Sequence, residues 1–259
     1  MKEIEVIKEI EVIKEIEVIK EIEVVKEIEV VPDNLGSIVL TFDDGHCINS
    51  WYESTYLFEQ YNASATFYIS KYHSGMADQL LFLQNQGFEI AHHTTYHANA
   101  LEWFDEHGLD SWLKGEIRDS LNNMKKDGLK VSSFAFPFGS YSIELSEALR
   151  EDFESVRGYL TPKTKDLRLG MQNDGYFYMG VGIDSSYFEP ETRIFLAMDK
   201  AKATGRDLIL IGHCIVEGEP TSRWQTPTKN LIKIFEYAKE IGLQFKTMNQ
   251  LNKKLRVTK

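Results

Sequence analysis

Two neighbouring aspartates, Asp43 and Asp44, stand between the apolar segment SIVLTF and Gly45. Adjacent carboxylates raise one another's pKa unless a cation lies beside them, because two like charges are costly to hold close together. The pair is therefore either a polar turn or the acidic part of a site that binds a positive ion.

Two histidines, His93 and His97, have the spacing H-x-x-x-H. We expect them to lie on one face of a helical turn, about 5 to 6 Å apart, which suits the binding of one ion. A carboxylate from the aspartate pair would complete the two-histidine, one-carboxylate set of catalytic zinc sites and leave a position for water. One aspartate would then bind the ion and the other would accept a proton from that water. Taken alone, an H-x-x-x-H pair is more often an ordinary surface or core pair, and it is the aspartate pair at the same rim that favours a metal site.

From residue 36 onward, short apolar runs alternate with longer amphipathic stretches, which predicts an α/β fold with a mostly parallel sheet, open or closed into a barrel. The predicted strands are 37–42, 64–69, 88–91, 133–136, 179–183 and 207–211. The predicted helices are 50–61, 76–86, 110–127, 142–152, 190–204 and 226–241.

Polar residues follow the predicted strands at the point where each strand ends. They are Asp43 and Asp44, His93 and His97, the segment 137–139, Asp184, and His213. In parallel α/β folds the chemistry takes place at the carboxyl ends of the strands, so we expect these groups to converge on one rim.

Four segments, TFDDG, GFEIAHHTTYH, FAFPFGSY and LILIGH, occur in this order. Together they resemble the polysaccharide deacetylases of carbohydrate esterase family 4, also called the NodB homology domain. The resemblance covers roughly residues 36–250 and implies a distorted (β/α) barrel of about seven parallel strands. It also implies that a divalent metal ion, zinc first and cobalt, nickel or iron as alternatives, assists the removal of N-acetyl groups from a glycan substrate.

The resemblance assigns a role to each residue of the first two motifs. Asp43 matches the catalytic base of the family, and the metal ligands would be Asp44, His93 and His97. The pairing of a base with a ligand explains why two aspartates stand side by side.

The later motifs imply further roles and two departures from the family pattern. His213 matches the general acid, the backbone N–H of Phe138 would hold the oxyanion, and Asp184 is the only match to an aspartate that tunes the acid. Ala135 stands where many members carry an arginine that orients the base, so the partner of Asp43 is unidentified at this stage. The form FAFPFG is similar to the branch that acts on poly-N-acetylglucosamine, which favours a β-linked N-acetylglucosamine polymer as substrate.

Residues 2–31 are five hexads, KEIEVI three times and KEIEVV twice. Six is a multiple of two, so the pattern fits a strand better than a helix, although charge pairs four residues apart also favour a helix. The repeat is a candidate for self-association, for a spacer or stalk, or for a low-complexity tail. We predict a repeat segment at 1–31, a linker at 32–36 and a catalytic domain at 37–259.

Composition excludes some functions. The net charge of −11 argues against a general nucleic-acid binder. The sequence has no apolar run of about 20 residues, so no transmembrane helix is predicted. The first residues lack the features of a secretory signal. The compartment is left open, since members of the family usually act at the cell envelope or outside the cell.

Four other residues carry weaker expectations. Cys47 and Cys214 each follow a histidine and are predicted to be reduced packing residues that lie close in space. His92 is expected to point away from the ion, and His46 either lines the cleft or faces solvent. Two alternative functions stay open: a metal-dependent hydrolase of a small amide or imide, and a catalytically silent glycan-binding or assembly protein.

Overall fold

A computed structural model describes residues 36–160, 175–188 and 191–251. The predicted repeat segment and almost all of the predicted linker lie outside these residues, so the division at 31 and 36 stays a prediction.

Seven parallel strands form a closed barrel within the described residues. They are β1 Ser37–Asp43, β2 Ala65–Ile69, β3 Glu89–His92, β4 Ser133–Ala135, β5 Ser155–Tyr159, β6 Phe177–Gly182 and β7 Leu208–Gly212. Each strand pairs with the next in chain order, and β7 pairs back onto β1, which closes the barrel. The predicted α/β barrel is confirmed.

Three short strands and the helices complete the described fold. Strands β8 Cys214–Val216 and β9 Gln225–Pro227 pair with each other, and β10 Gln244–Phe245 pairs with the start of β1. The α-helices are Ile48–Glu53, Thr55–Gln60, Ala77–Asn85, Ala100–His107, Leu109–Trp112, Asp119–Lys126, Ile143–Ala148, Thr192–Thr204 and Thr228–Ile241. A π-helix runs over Leu113–Arg118, and 3₁₀ turns occupy Gly45–Cys47, Ser74–Met76 and Pro137–Gly139. No described helix is long and apolar enough to cross a membrane.

The strands bury side chains on both faces, as expected for a parallel sheet covered by helices. The inner cluster of the barrel is Val39, Tyr68, Ala91, Ala135, Tyr178, Ile209, Met248 and Leu251. Because side chains alternate along a strand, Asp43 lies on the same inner face of β1 as Val39, four residues earlier. The alternation therefore places Asp43 inside the barrel, at the end where the carboxyl ends of the strands lie.

The observed elements differ from the predicted ones in several places. The short strands β8, β9 and β10 were not predicted, and the helix predicted at 50–61 is divided into two. Strand β5, with the sequence SVRGY, was not predicted, because it is short and contains an arginine and a glycine. Helix Ala100–His107 was not predicted either. The single helix predicted at 110–127 is divided by the π-helical segment into three parts.

Candidate active site

The carboxyl ends of the barrel strands surround a pocket of about 340 Å³. Its lining includes all seven site residues predicted from the sequence: Asp43, Asp44, His93, His97, Phe138, Asp184 and His213. Residues separated by up to 170 positions in the chain thus meet at one rim. Their roles stay predictions, but their convergence is a structural fact.

Three of these residues form a compact donor set. Asp44 Oδ1 lies 3.0 Å from His97 Nε2 and 3.7 Å from His93 Nε2, and the three ligand atoms lie within 4.8 Å of one another. Asp44 Oδ1 is buried and makes no hydrogen bond of acceptable geometry among the described residues. Two imidazole nitrogens around an orphaned carboxylate oxygen fit a borderline cation such as Zn²⁺.

His93 is oriented from behind by the backbone of β4. Its Nδ1 lies 2.8 Å from the carbonyl oxygen of Ala135. A carbonyl can only accept, so Nδ1 carries the proton and the lone pair of Nε2 faces Asp44. Burial lowers the pKa of His93 to about 4, although Asp43 and Asp44 oppose this effect. The imidazole is therefore neutral near neutral pH, as a metal ligand must be.

The carboxyl group of Asp44 is held in its ionised form. Burial alone would raise the pKa of Asp44, but the contact with His97 and the charges of His93, His97 and His213 outweigh it. The net pKa lies well below the usual range, so Asp44 is available as an anionic ligand.

The segment that carries His93 and His97 is a turn, so the helical turn expected from their spacing is wrong. Thr94 and His97 have left-handed backbones, with φ of 69° and 61°, and the segment after β3 is non-helical, with bends at residues 95–96. The Oγ1 of Thr94 accepts the N–H of His97 at 3.0 Å. The centroids of the two rings nevertheless lie 5.0 Å apart.

Glu116 of the π-helical segment supports this turn through two hydrogen bonds, and the sequence analysis did not identify it. Its carbonyl oxygen accepts the N–H of Thr95 at 2.9 Å, and its Oε2 accepts the N–H of Tyr96 at 3.2 Å. Glu116 is fully buried. Two of the backbone N–H groups between the histidines are therefore held by one residue.

Left-handed backbones are concentrated around this pocket. Of the six described non-glycine residues with positive φ, three line it: Asp44, His97 and Phe138; a fourth, Thr94, directly follows the lining residue His93. Such conformations cost an L-amino acid about 1–2 kcal/mol each, and they persist where the surrounding structure imposes them. Their clustering at one rim is typical of a functional site.

Arg157 is the partner of Asp43 that the sequence did not identify. Its guanidinium contacts both carboxylate oxygens of Asp43, with Nη2 at 2.6 Å from Oδ2. Arg157 lies on β5 and pairs in register with Ala135 of β4. The guanidinium therefore comes from the strand adjacent to Ala135, the position where an arginine was expected. Arg157 also lies over the ring of Tyr68, 4.8 Å from its centroid.

His213 and Asp184 form a second polar pair in the lining of the pocket. Asp184 Oδ2 lies 2.6 Å from His213 Nδ1, and its Oδ1 accepts the backbone N–H of His213 and the hydroxyl of Thr226. Burial acts to lower the pKa of His213, but Asp184, with help from Asp43 and Asp44, raises it above its ordinary value. Nδ1 is fixed by Asp184, so Nε2 is the nitrogen left for a proton transfer.

Cys47 and Cys214 are joined by a disulfide, with 4.9 Å between their Cα atoms. The prediction that they are reduced packing residues is therefore wrong, whereas the expected proximity is confirmed. The reason is the closure of the barrel, since the segments that follow β1 and β7 leave neighbouring strands side by side. His46 is exposed and contacts both sulfurs through Nε2.

Aromatic side chains form part of the pocket lining, and a second cavity adjoins the pocket. Tyr187 and Trp224 line the pocket, and the ring of Phe138, 66% exposed, lies 4.7 Å from that of His97. A second cavity of about 620 Å³ shares Asp44 and His97 and extends past helix Ile48–Glu53.

His92 points away, as expected, with Nε2 2.6 Å from the hydroxyl of Ser120.

Comparison with known proteins gives this architecture a family context. Residues 31–152 match the sequence model of the polysaccharide deacetylase family. That stretch includes Asp43, Asp44, His93, His97 and Phe138. No curated protein sequence matches the chain.

Solved structures share the fold at low sequence identity. The Bc1960 peptidoglycan N-acetylglucosamine deacetylase is 17% identical, with 85% of this chain and 89% of that chain covered and a TM-score of 0.57. The peptidoglycan deacetylase PdaC from Bacillus subtilis is 20% identical, with 88% and 96% covered and a TM-score of 0.53. BA3943 from Bacillus anthracis, described as a pseudoenzyme of carbohydrate esterase family 4, is 15% identical, with 85% and 66% covered and a TM-score of 0.53. The family match and the common fold support a polysaccharide deacetylase domain.

Proposed function

We propose, on the premise of a polysaccharide deacetylase domain, that the chain hydrolyses acetamido groups of an N-acetylglucosamine-containing glycan and releases acetate. One observation carries the proposal. A proton acceptor, Asp43, a donor set for one cation, and a proton donor, His213, line the same pocket of about 340 Å³.

Asp44, His93 and His97 would hold the divalent cation, most suitably zinc. When bound there, a cation would polarise the acetamide carbonyl and increase the acidity of a nearby water. Asp43 takes the proton from that water as the water attacks the carbonyl carbon. Arg157 holds Asp43 through both carboxylate oxygens, which fixes the direction from which the proton is accepted.

The two remaining steps involve Phe138 and His213. The backbone N–H of Phe138 would donate a hydrogen bond to the carbonyl oxygen as negative charge develops on it. His213, protonated at Nε2 and held by Asp184, then donates a proton to the departing amine as the C–N bond breaks. One water is consumed, and a free amino sugar and acetate are formed.

The substrate we favour is a β-linked N-acetylglucosamine polymer. The motif FAFPFG supports this choice by its similarity to the branch acting on poly-N-acetylglucosamine. Tyr187 and Trp224 line the pocket and offer apolar faces on which sugar rings can stack.

Acetate release from N-acetylglucosamine oligomers of increasing length tests the proposal, with zinc-reconstituted protein and metal content measured for each variant. We expect Asp43→Asn to keep the metal and lose activity, and His97→Ala to lose both. His107→Ala, at an exposed histidine of helix Ala100–His107, is the matched control and should change neither.

Three outcomes distinguish the candidate functions. Activity that rises with oligomer length supports the glycan as substrate. Zinc binding without acetate release from any oligomer, but with hydrolysis of small amides or imides, would replace the substrate. Zinc binding without hydrolysis of either class would favour the catalytically silent glycan-binding or assembly protein.

A further inference from the structure

A second group of metal-binding side chains lies beside the candidate active site and consists of His46, Cys47 and Cys214. His46 Nε2 is 3.5 Å from Cys47 Sγ and 3.6 Å from Cys214 Sγ. None of the three has a part in the proposed hydrolysis. We propose that reduction of the Cys47–Cys214 disulfide turns this group into a second binding site for a zinc-like divalent cation.

The spacing of the ligand atoms fits tetrahedral zinc. Bonds of about 2.3 Å to sulfur and about 2.0–2.1 Å to nitrogen, at the tetrahedral angle, place a bound nitrogen and a bound sulfur about 3.5 Å apart. Both observed nitrogen–sulfur distances agree with this value. Only the two sulfurs, bonded to each other in the oxidised protein, must separate, to about 3.8 Å.

The three residues also differ usefully in exposure. Cys47 is 2% exposed, whereas Cys214 is half-buried and His46 is exposed. The ligands therefore anchor the cation from the protein side and leave its outer side accessible. A two-thiolate, one-imidazole set with an accessible fourth position is a known zinc arrangement, in which water supplies the fourth ligand.

The surrounding structure keeps the two cysteines together without the disulfide. Trp51 Nε1 donates to the carbonyl oxygen of His213 at 2.8 Å, and the N–H of Ile215 donates to Ser50 Oγ at 3.1 Å. Both bonds join helix Ile48–Glu53, which follows Cys47, to the segment around Cys214. Reduction therefore leaves the thiols within reach of one ion.

Reduction of the Cys47–Cys214 disulfide to two thiols requires two electrons, which an external reductant supplies. A phosphine supplies two electrons, and water supplies two protons and the oxygen that leaves as phosphine oxide, so the S–S bond becomes two thiols. A divalent cation then binds as both thiol protons pass to solvent. The disulfide and the bound cation are mutually exclusive, because each uses both sulfurs.

Cobalt(II) titration of the whole protein, oxidised or phosphine-reduced, tests the inference. Cys47 and Cys214 are the only cysteines of the chain, and the Asp44, His93 and His97 set contains no sulfur. A thiolate-to-cobalt charge-transfer band can therefore arise only from the second group. We expect the band in the reduced protein alone, together with one more equivalent of bound zinc than in the oxidised protein.

Variants separate this site from the active-site donor set. Cys47→Ser and Cys214→Ser should weaken or abolish the band. His46→Ala should reduce the affinity for cobalt at least about tenfold, because even residues that only hydrogen-bond to a ligand typically change metal affinity by about 10–100-fold when they are replaced. Asp44→Ala should leave the band in place, and His107→Ala is the control.

Two results would overturn the inference. One is a reduced protein that is folded by circular dichroism but shows no sulfur band and binds no more zinc than the oxidised form. The other is an equal rate of thiol reoxidation with and without zinc in the Asp44→Ala variant, in which only the second group is intact. The inference does not depend on the proposed hydrolysis, since neither readout requires turnover.

Discussion

Replacing Arg157 by methionine is expected to damage both stability and catalysis, because the change removes a charge from a buried pair. The side chains of Arg157 and Asp43 are 1% and 8% exposed. Removing one partner of such a pair typically costs about 3–5 kcal/mol, since the other charge is left buried without compensation. We therefore expect the free energy of unfolding to fall by about that amount.

The same substitution releases the proposed base. Arg157 holds both carboxylate oxygens of Asp43, and a displacement of a reacting group by about 1 Å can cost about 100-fold in rate. We expect kcat for acetate release to fall by about two orders of magnitude while zinc content is unchanged. Asp43 is not among the proposed zinc ligands, so metal binding and activity should separate.

Urea unfolding in chelator isolates the energetic part, because bound metal would otherwise stabilise the folded state by mass action. The set comprises Arg157→Met, Asp43→Asn, the double variant, and Arg118→Met as control. Arg118 forms an ion pair with Asp152 at 3.0 Å but is 41% exposed, so its loss should cost no more than about 1 kcal/mol.

The double variant shows whether the charges of Arg157 and Asp43 compensate each other. If the two charges compensate each other, removing both should cost no more than the worse single substitution. Costs of Arg157→Met and Asp43→Asn that add within about 0.5 kcal/mol would refute the reasoning, because additivity means that the groups do not interact. Unchanged kcat in Arg157→Met would refute the positioning role.

Three further predictions concern the acid, the turn and the disulfide. Asp184→Asn removes the group that raises the pKa of His213, so the alkaline limb of the kcat profile, where the acid loses its proton, should move to lower pH; an unmoved limb contradicts this. Glu116→Ala should weaken zinc binding about 10–100-fold in a chelator competition, with Glu116→Gln closer to wild type; equal effects of both would contradict the hydrogen-bonding role. Reducing Cys47–Cys214, which lie 167 residues apart, should cost up to about 5 kcal/mol and lower the Tm in zinc-free buffer by up to about 10–20 °C; an unchanged Tm would contradict it.

Most of the barrel could be predicted because its strands differ clearly from their surroundings. Runs such as SIVLTF and LILIG are apolar and bounded by polar residues, and the parallel α/β order follows from the helices between them. Since such strands end at one rim, the convergence of Asp43, His93 and His213 was also predictable.

What the sequence concealed lay in weak elements and long-range contacts. Strand SVRGY has only one strongly apolar residue, so β5 and its Arg157 were missed together. The fold of the histidine turn depends on left-handed backbones at Thr94 and His97 and on Glu116, which lies about 20 residues away in the chain. Spacing alone could not distinguish that turn from a helix. The disulfide depends on which strands close the barrel, and the composition does not record this.

The disulfide also bears on how the chain is assembled. Cys47 follows the first barrel strand and Cys214 the last, with 167 residues between them. At a synthesis rate of about 5–20 residues per second, Cys214 is added to the chain roughly 8 to 30 s after Cys47. The bond joins the two segments that β1 and β7 bring together when they pair. Its formation during refolding, followed by thiol labelling, therefore records when the first and last strands of the barrel meet.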